Sequence, residues 1–232
     1  MTAPAGGREL LVALKASAGA RGPTLSIPVG RPLEAVLRPV ATRKEDLNAE
    51  DVRLLTEWRN LHARSFLTEF RATEDRTERW LTETVGPDDT RILFMIDDAE
   101  GRVVGYTGLA FIDWERGSAE FDSPVRGTEA DPRLMTRALR TMMGWAQGQL
   151  GLPYIGGRVR SDNRVLKFFQ RKLGALEVKR VPLRRIEEPG MVRWVEDPSL
   201  PPGEPSLVYM ANAAGLNELW GPTEKEPLGK EK

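Results

Sequence analysis

Apolar positions along this chain follow two different periods. Residues 50–65 place Val52, Leu54, Leu55, Trp58 and Leu61 at three- and four-residue intervals, which predicts an amphipathic helix. Residues 74–85 repeat the pattern with Trp80 and Leu81 and stop before Gly86-Pro87. The period then changes. Arg91 to Ile96 is a short, strongly apolar run that predicts a strand, and Asp98-Ala99-Glu100-Gly101 reads as a hairpin turn. Val103 to Ile112 resumes as a strand, Glu115-Arg116-Gly117 turns again, and Ser118 to Val125 completes an antiparallel meander.

A long helix follows, with Asp131 as N-cap, Pro132 in the first turn, and Met135, Ala138, Leu139, Met142 and Ala146 on one face. Gly151-Leu152-Pro153 ends it, and Tyr154 to Val159 is a strand. Ser161-Asp162-Asn163 opens a second, shorter helix with Val165, Leu166, Phe168, Phe169 and Leu173 inside and Gly174 as its stop. Strands at Leu176–Leu183 and Ser206–Met210 close the pattern, separated by a Pro-rich loop from Glu188 to Pro205. A short strand at Ala35–Val40 precedes the first helix. Residues 1–34 form an N-terminal extension whose apolar stretch Leu10–Leu14 reads as a docked helix or strand, or as part of a disordered segment. Residues 35–212 are the folded domain, and 213–232 a polar tail.

Composition narrows the chemistry. The 232 residues carry 34 Lys+Arg against 34 Asp+Glu, so nothing electrostatic suggests bulk binding to nucleic acid or to an anionic membrane. With no Cys, disulfides, a thiol nucleophile and Cys-based zinc sites are excluded. His62 is the only His, which removes most support for a His metal site or a Ser-His-Asp triad, and no metal is expected. No apolar run has the length of a membrane span, and Lys15 interrupts the one stretch resembling a signal peptide, so a cytoplasmic protein is expected.

The element order resembles the GNAT N-acetyltransferase fold, an α/β (α+β) architecture with a mixed, mostly antiparallel sheet flanked by helices. Gly151-Leu152-Pro153-Tyr154-Ile155, Asn163 and Lys172-Leu173-Gly174 are similar to that family's closing stretch. Leu55-Thr56-Glu57-Trp58-Arg59-Asn60 and Arg76-Thr77-Glu78-Arg79-Trp80-Leu81 are similar to a subgroup acting on nucleotide-linked amino sugars. The same style of N-terminal half occurs in N-terminal protein and ribosomal-protein acetyltransferases.

The resemblance implies acetyl-CoA, or another acyl-CoA, as co-substrate and a small-molecule amine as acceptor. It places Glu120 and Asp122 on one face of the central strand, as candidate base and second carboxylate. Backbone groups from Ser123 to Val125 would polarise the thioester carbonyl, and Arg126, Arg133, Met135, Asn163, Phe169 and Lys172 would border the acyl donor. Arg59, Arg64 and Phe66 would face the acceptor, Arg59 or Arg64 meeting a nucleotide phosphate and Phe66 or Phe70 stacking on a base. Asn163 has an alternative role as a helix cap, and Lys172 as part of a solvated helix face.

Two departures from the family pattern stand out. The Gly-rich phosphate segment reads Val125 to Met135, with Arg133 and Met135 where glycines are expected, acidic Glu129 and Asp131, and Pro132 lacking an N–H. Gln170 stands where a Tyr often serves as acid, leaving Tyr106 and Tyr154 as candidates, with a water or direct protonation by the ammonium product as the alternatives. The favoured expectation is an N-acetyltransferase for a small amine, with a nucleotide-linked amino sugar as acceptor. The alternatives are a protein N-terminus or a polyamine as acceptor, or a degenerate binding module without turnover. A homodimer is left open.

Overall fold

The computed structural model describes residues 6–19, 24–127, 131–203, 205–215 and 219. Its helices are α1 (Gly7–Ser17), α2 (Ala49–Leu61), α3 (Glu74–Arg79), α4 (Pro132–Gln149) and α5 (Val165–Phe168). Its strands are β1 (Ile27–Val29), β2 (Ala35–Pro39), β3 (Thr68–Phe70), β4 (Ile92–Asp98), β5 (Val103–Asp113), β6 (Ser118–Phe121), β7 (Val125–Arg126), β8 (Tyr154–Arg160), β9 (Leu176–Glu188), β10 (Met191–Glu196) and β11 (Ser206–Ala211). The strands form one sheet in the order β1-β2-β4-β5-β6-β8-β11-β9-β10-β3, with β7 beside β5. Only the β6–β8 pair is parallel among the described strands. The expected mixed, mostly antiparallel sheet flanked by helices is what forms.

Alternation along the strands sorts side chains to the two faces. On one face Ile92, Phe94, Ile96, Leu109, Ala119 and Ile155 pack against α4 through Leu134, Met135, Ala138, Leu139, Met142 and Ala146. On the other, Leu93, Met95, Tyr106 and Val125 pack against Val52, Leu55 and Trp58 of α2 and Leu81 and Val85 beyond α3. Asp131 caps α4 by accepting the Arg133 N–H at 2.8 Å, with Pro132 in the first turn. Gly174, at φ +70°, ends the helical run that continues α5 as a π-helical stretch over Phe169–Leu173. A second π-helical stretch, Trp80–Val85, continues α3.

Of the alternatives for residues 1–34, the structure shows a docked helix and a strand. Leu11 and Leu14 of α1 join the core cluster under α4, and β1 pairs with β2. Gly7 lies so close to Leu150 that a Cβ there would stand 2.4 Å from the Leu150 carbonyl oxygen. Lys15 donates to the carbonyls of Val85 and Asp88, each at 2.6 Å, and ties α1 to the turn before β4.

Two expectations change. The strand foreseen over Ser118 to Val125 breaks after Phe121, because Ser123 takes φ +43° and Pro124 has no N–H to give a ladder. The Pro-rich loop foreseen from Glu188 to Pro205 contains β10, which turns back from β9 at Pro189-Gly190 with Gly190 at φ +75°. β10 also pairs with β3, a three-residue strand between α2 and α3 that the sequence reading did not contain. In the polar tail, 216–218, 220 and 221–232 lie outside the described residues.

Candidate active site

The parallel pair positions the site. Ser118, Ala119 and Glu120 of β6 align with Tyr154, Ile155 and Gly156 of β8, and there the pairing stops. Asp122 turns its N–H to the Gly108 carbonyl of β5 at 2.8 Å, and β7 stays with β5. β8 continues to Arg160 alongside β11. The sheet therefore splits beyond Glu120. Gly127 gives its N–H to Val104 at 2.8 Å. Alternation along the strand then turns the Arg126 N–H the other way, into the split. On the α4 side the split is lined by Phe121, Met143, Ile155, Gly156, Gly157 and Phe169.

Glu120 and Asp122 emerge on the opposite face, as the alternation predicts. Neither is alone. Arg158 Nε donates to Glu120 Oε2 at 2.8 Å, and Glu120 is only 8 % exposed. Burial raises the Glu120 pKa above its ordinary value, and the hydrogen bond from Arg158 opposes that rise. Asp122 Oδ2 lies 3.2 Å from Arg91 Nε, a contact outside hydrogen-bond geometry that leaves both atoms without a hydrogen-bond partner. Burial raises the Asp122 pKa too, and the charge on Arg91 offsets part of it.

Phe111 completes this cluster. A register shift between β5 and β6 separates Ala110 from Asp113, and Phe111 within it takes φ +52°. A bulky side chain there carries strain of about 1–3 kcal/mol. Its ring is 58 % exposed, so burial does little to offset that strain. The guanidinium of Arg158 sits 4.8 Å from the ring centroid and that of Arg91 5.8 Å. Tyr209 of β11 borders Arg158 and donates its hydroxyl to Glu196 at 2.5 Å, and burial pushes its pKa up to about 12.

The other expected residues are spread around this centre. Ser123 occupies the break between β6 and β7, Val125 is buried against the α2 side, and Arg126 beside it is exposed. Met135 is buried in the main core, so its side chain points away from any phosphate approach, while Arg133 is exposed at the start of α4. Phe169 is buried against Phe121, with ring centroids 5.2 Å apart. Asn163 caps α5 by accepting the Val165 N–H at 3.0 Å, and its amide also reaches the Ser65 carbonyl at 3.2 Å. Lys172 is exposed, and its carbonyl accepts the Arg140 guanidinium.

On the α2 side Arg59 stacks on Phe66 at 3.8 Å and Phe70 at 4.6 Å and donates to the Thr68 carbonyl, so the structure joins Arg59 with Phe66. Burial lowers the Arg59 pKa. Arg64 has an exposed side chain, and its carbonyl accepts from Arg160 at 3.1 Å. Arg160, 7 % exposed, also holds Asp162 and Glu69 and lies over Trp194, whose indole donates to Glu69 at 2.7 Å. That network pins the α2–α3 connection to β8 and β10. Of the two Tyr candidates, Tyr106 is buried and stacked on Trp58, and burial drives its pKa upward. Tyr154 stands at the far end of β8 from the split.

The sequence reading missed Arg91, Arg158 and Tyr209, and expected Phe111 only as an apolar neighbour burying Glu120, whereas its ring faces solvent. Arg158 was accessible in principle, since a residue two beyond the last parallel rung shares the face of Glu120. The outward direction of Phe111 was not, because it is set by the bulge.

A family model described as an acetyltransferase (GNAT) domain matches residues 35–175. The chain belongs to the GNAT acetyltransferases. It is thus an N-acetyltransferase, and GNAT enzymes use acetyl-CoA as co-substrate. Comparison with curated proteins returns no match. Among solved structures, spermidine N-acetyltransferase from Vibrio cholerae in complex with CoA and spermine is 18 % identical with a TM-score of 0.57, covering 77 % of this chain and 94 % of that one. A GCN5-related N-acetyltransferase from Brucella melitensis is 17 % identical with a TM-score of 0.57, covering 83 % and 80 %. At such identity these GNAT structures are similar in fold.

The residues present suit one half of acetyl-CoA better than the other. The apolar lining of the split matches a pantetheine arm. At the start of α4, Asp131 takes the Arg133 N–H with its side chain and the Leu134 and Met135 N–H groups with its carbonyl, and Pro132 has none to offer. The expected acidic residue Glu129 and its neighbours 128 and 130 lie outside the described residues. No helix among the described residues is long and apolar enough to cross a membrane, and no cluster of three metal-ligating side chains occurs among them.

Proposed function

We propose that this GNAT enzyme acetylates the primary amine of a small molecule, with Glu120 as the base. The observation that carries the reading is the position of Glu120: buried, at the last rung before the sheet splits, on the face opposite the apolar lining of the split. Acetyl-CoA supplies the acetyl group as a thioester. The Arg126 N–H, turned away from β5, can hydrogen-bond the carbonyl to be attacked. Glu120, with its pKa raised by burial, can accept the ammonium proton. Arg158 holds that carboxylate in place.

In this reading Arg126 and Arg133 contact the diphosphate with their side chains, because Asp131 occupies the N–H groups that a bare helix start would offer. That is the sense in which the phosphate loop is altered. Tyr209 is the nearest hydroxyl to the Arg158–Glu120 pair that the described contacts show and is the candidate acid in place of Gln170. A cytoplasmic location and a homodimer remain compatible with this reading.

A nucleotide-linked amino sugar was the expected acceptor. Arg59 or Arg64 was to meet its phosphate; Arg59 is held by Phe66, Phe70 and Thr68, which leaves the exposed Arg64 side chain for that role. A polyamine, the acceptor of the spermidine enzyme whose fold is similar, is the second reading.

The test is thiol release from acetyl-CoA with a panel of small amines. Glu120→Gln is expected to lower kcat by about 100-fold while acetyl-CoA binding by calorimetry stays as in the wild type. Equal turnover in the variant removes Glu120 from the mechanism.

A further inference from the structure

We infer that the acceptor is a monoamine whose flat, apolar body lies on Phe111, and not a polycation. The inference rests on the N-acetyltransferase reading above and specifies its acceptor. Two observations converge on it. The first is the charge balance of the face on which the amine must arrive. A polycation needs carboxylates with no local counter-charge, one for each ammonium it buries. Here Glu120 is bonded to Arg158, and Asp122 lies 3.2 Å from Arg91. Glu196 accepts the Tyr209 hydroxyl, and Asp88 is shared electrostatically with Lys15 and Arg91. None of these four carboxylates is without a partner group: a monoamine has to compete with Arg158 alone at Glu120, whereas a polycation must displace a second partner as well.

The second observation is Phe111 itself. A left-handed backbone at a bulge presents a large aromatic ring to solvent, beside the guanidinium that holds Glu120. The ring is not spent on the core. The two guanidinium groups lie against it and leave it 58 % exposed. A ring placed in this way offers a flat apolar surface one guanidinium away from the base. An amine on a short tether from an aromatic or similarly flat group can lie on Phe111 and reach Glu120 together.

The experiment compares 2-phenylethylamine, propylamine and spermidine as acceptors for acetyl-CoA, in the wild type and in Phe111→Gly. Glycine removes the ring and relieves the left-handed backbone at once, so a loss is not a loss of fold. The expected result is a kcat/KM for 2-phenylethylamine about 10-fold above propylamine, carried by KM. That ratio should collapse toward one in Phe111→Gly. A preference for spermidine over 2-phenylethylamine, or an unchanged ratio in the variant, overturns the inference and leaves the acetyltransferase reading intact. If none of the three amines is acetylated, the small-amine reading with Glu120 as base fails for them. Calorimetric binding of 2-phenylethylamine then decides the inference separately. Binding that Phe111→Gly abolishes supports the aromatic platform, and binding that is absent, or equal in both proteins, overturns it.

Discussion

Arg158 Nε stands 2.8 Å from Glu120 Oε2, across the last point at which β6 and β8 run together. The pair sets two opposing effects on one carboxylate. Burial favours its neutral form, and the guanidinium favours its charge. The apparent basicity of the site is the balance between them.

Removing the guanidinium therefore moves the balance in a known direction. In Arg158→Gln the Glu120 pKa rises further. The acid limb of the kcat/KM profile should shift to higher pH than in the wild type, while in Glu120→Gln that limb should be lost. An unshifted limb in Arg158→Gln assigns the limb to another group.

Stability should follow the same carboxylates. Glu120 and Asp122 both have folded-state pKa values raised above the ordinary range by burial. The folded state then binds the extra protons. The stability they contribute is fully present below the unfolded pKa and is lost as pH rises through the folded pKa. Asp122→Asn should accordingly raise Tm at neutral pH and lose that advantage at about pH 4. Thermal melts of both proteins across this range check the sign.

Asp131→Asn keeps an N-cap oxygen and removes the negative charge at the start of α4. Stability should change by less than about 0.5 kcal/mol, while acetyl-CoA should bind more tightly. Calorimetry at two salt concentrations reads both the gain and its electrostatic origin.

Leu11→Ala tests whether α1 is part of the folded unit. Leu11 is fully buried in the main core. Its truncation should cost about 2–5 kcal/mol of unfolding free energy, measured by urea denaturation. A surface appendage would give almost no change.

Helix positions were legible because they follow local rules. The five residues expected on the inner face of the long helix are all buried, and Asp131, Pro132 and Gly174 mark its start and the next helix's end as capping chemistry requires. The meander was legible for the same reason, down to its two turns. The hairpin of β9 and β10 had its signal at Pro189-Gly190, followed by the alternating run Met191 to Glu196, but the surrounding prolines masked it. At the site, Glu120 and Asp122 could be found because side-chain alternation belongs to a single strand. Their partners could not be found so easily. Arg158 is 38 residues away and meets Glu120 only through strand pairing, and Phe111 faces outward only because one strand bulges. The Arg59 contacts show the converse: Arg59, read with Arg64 as one of two candidate phosphate ligands, is enclosed by the two aromatics that follow it.

The network around Glu69 has a bearing on how the chain reaches this state. Trp194 and Glu69 are 125 residues apart, and β3 has β10 as its strand neighbour. Contacts of such separation raise contact order and slow folding. During synthesis β3 emerges long before β10 exists to cover it. The α2–α3 connection thus waits for the last third of the polypeptide before it can settle, and a ribosome-stalled fragment ending before residue 191 should leave that segment open to protease while α2 is already protected.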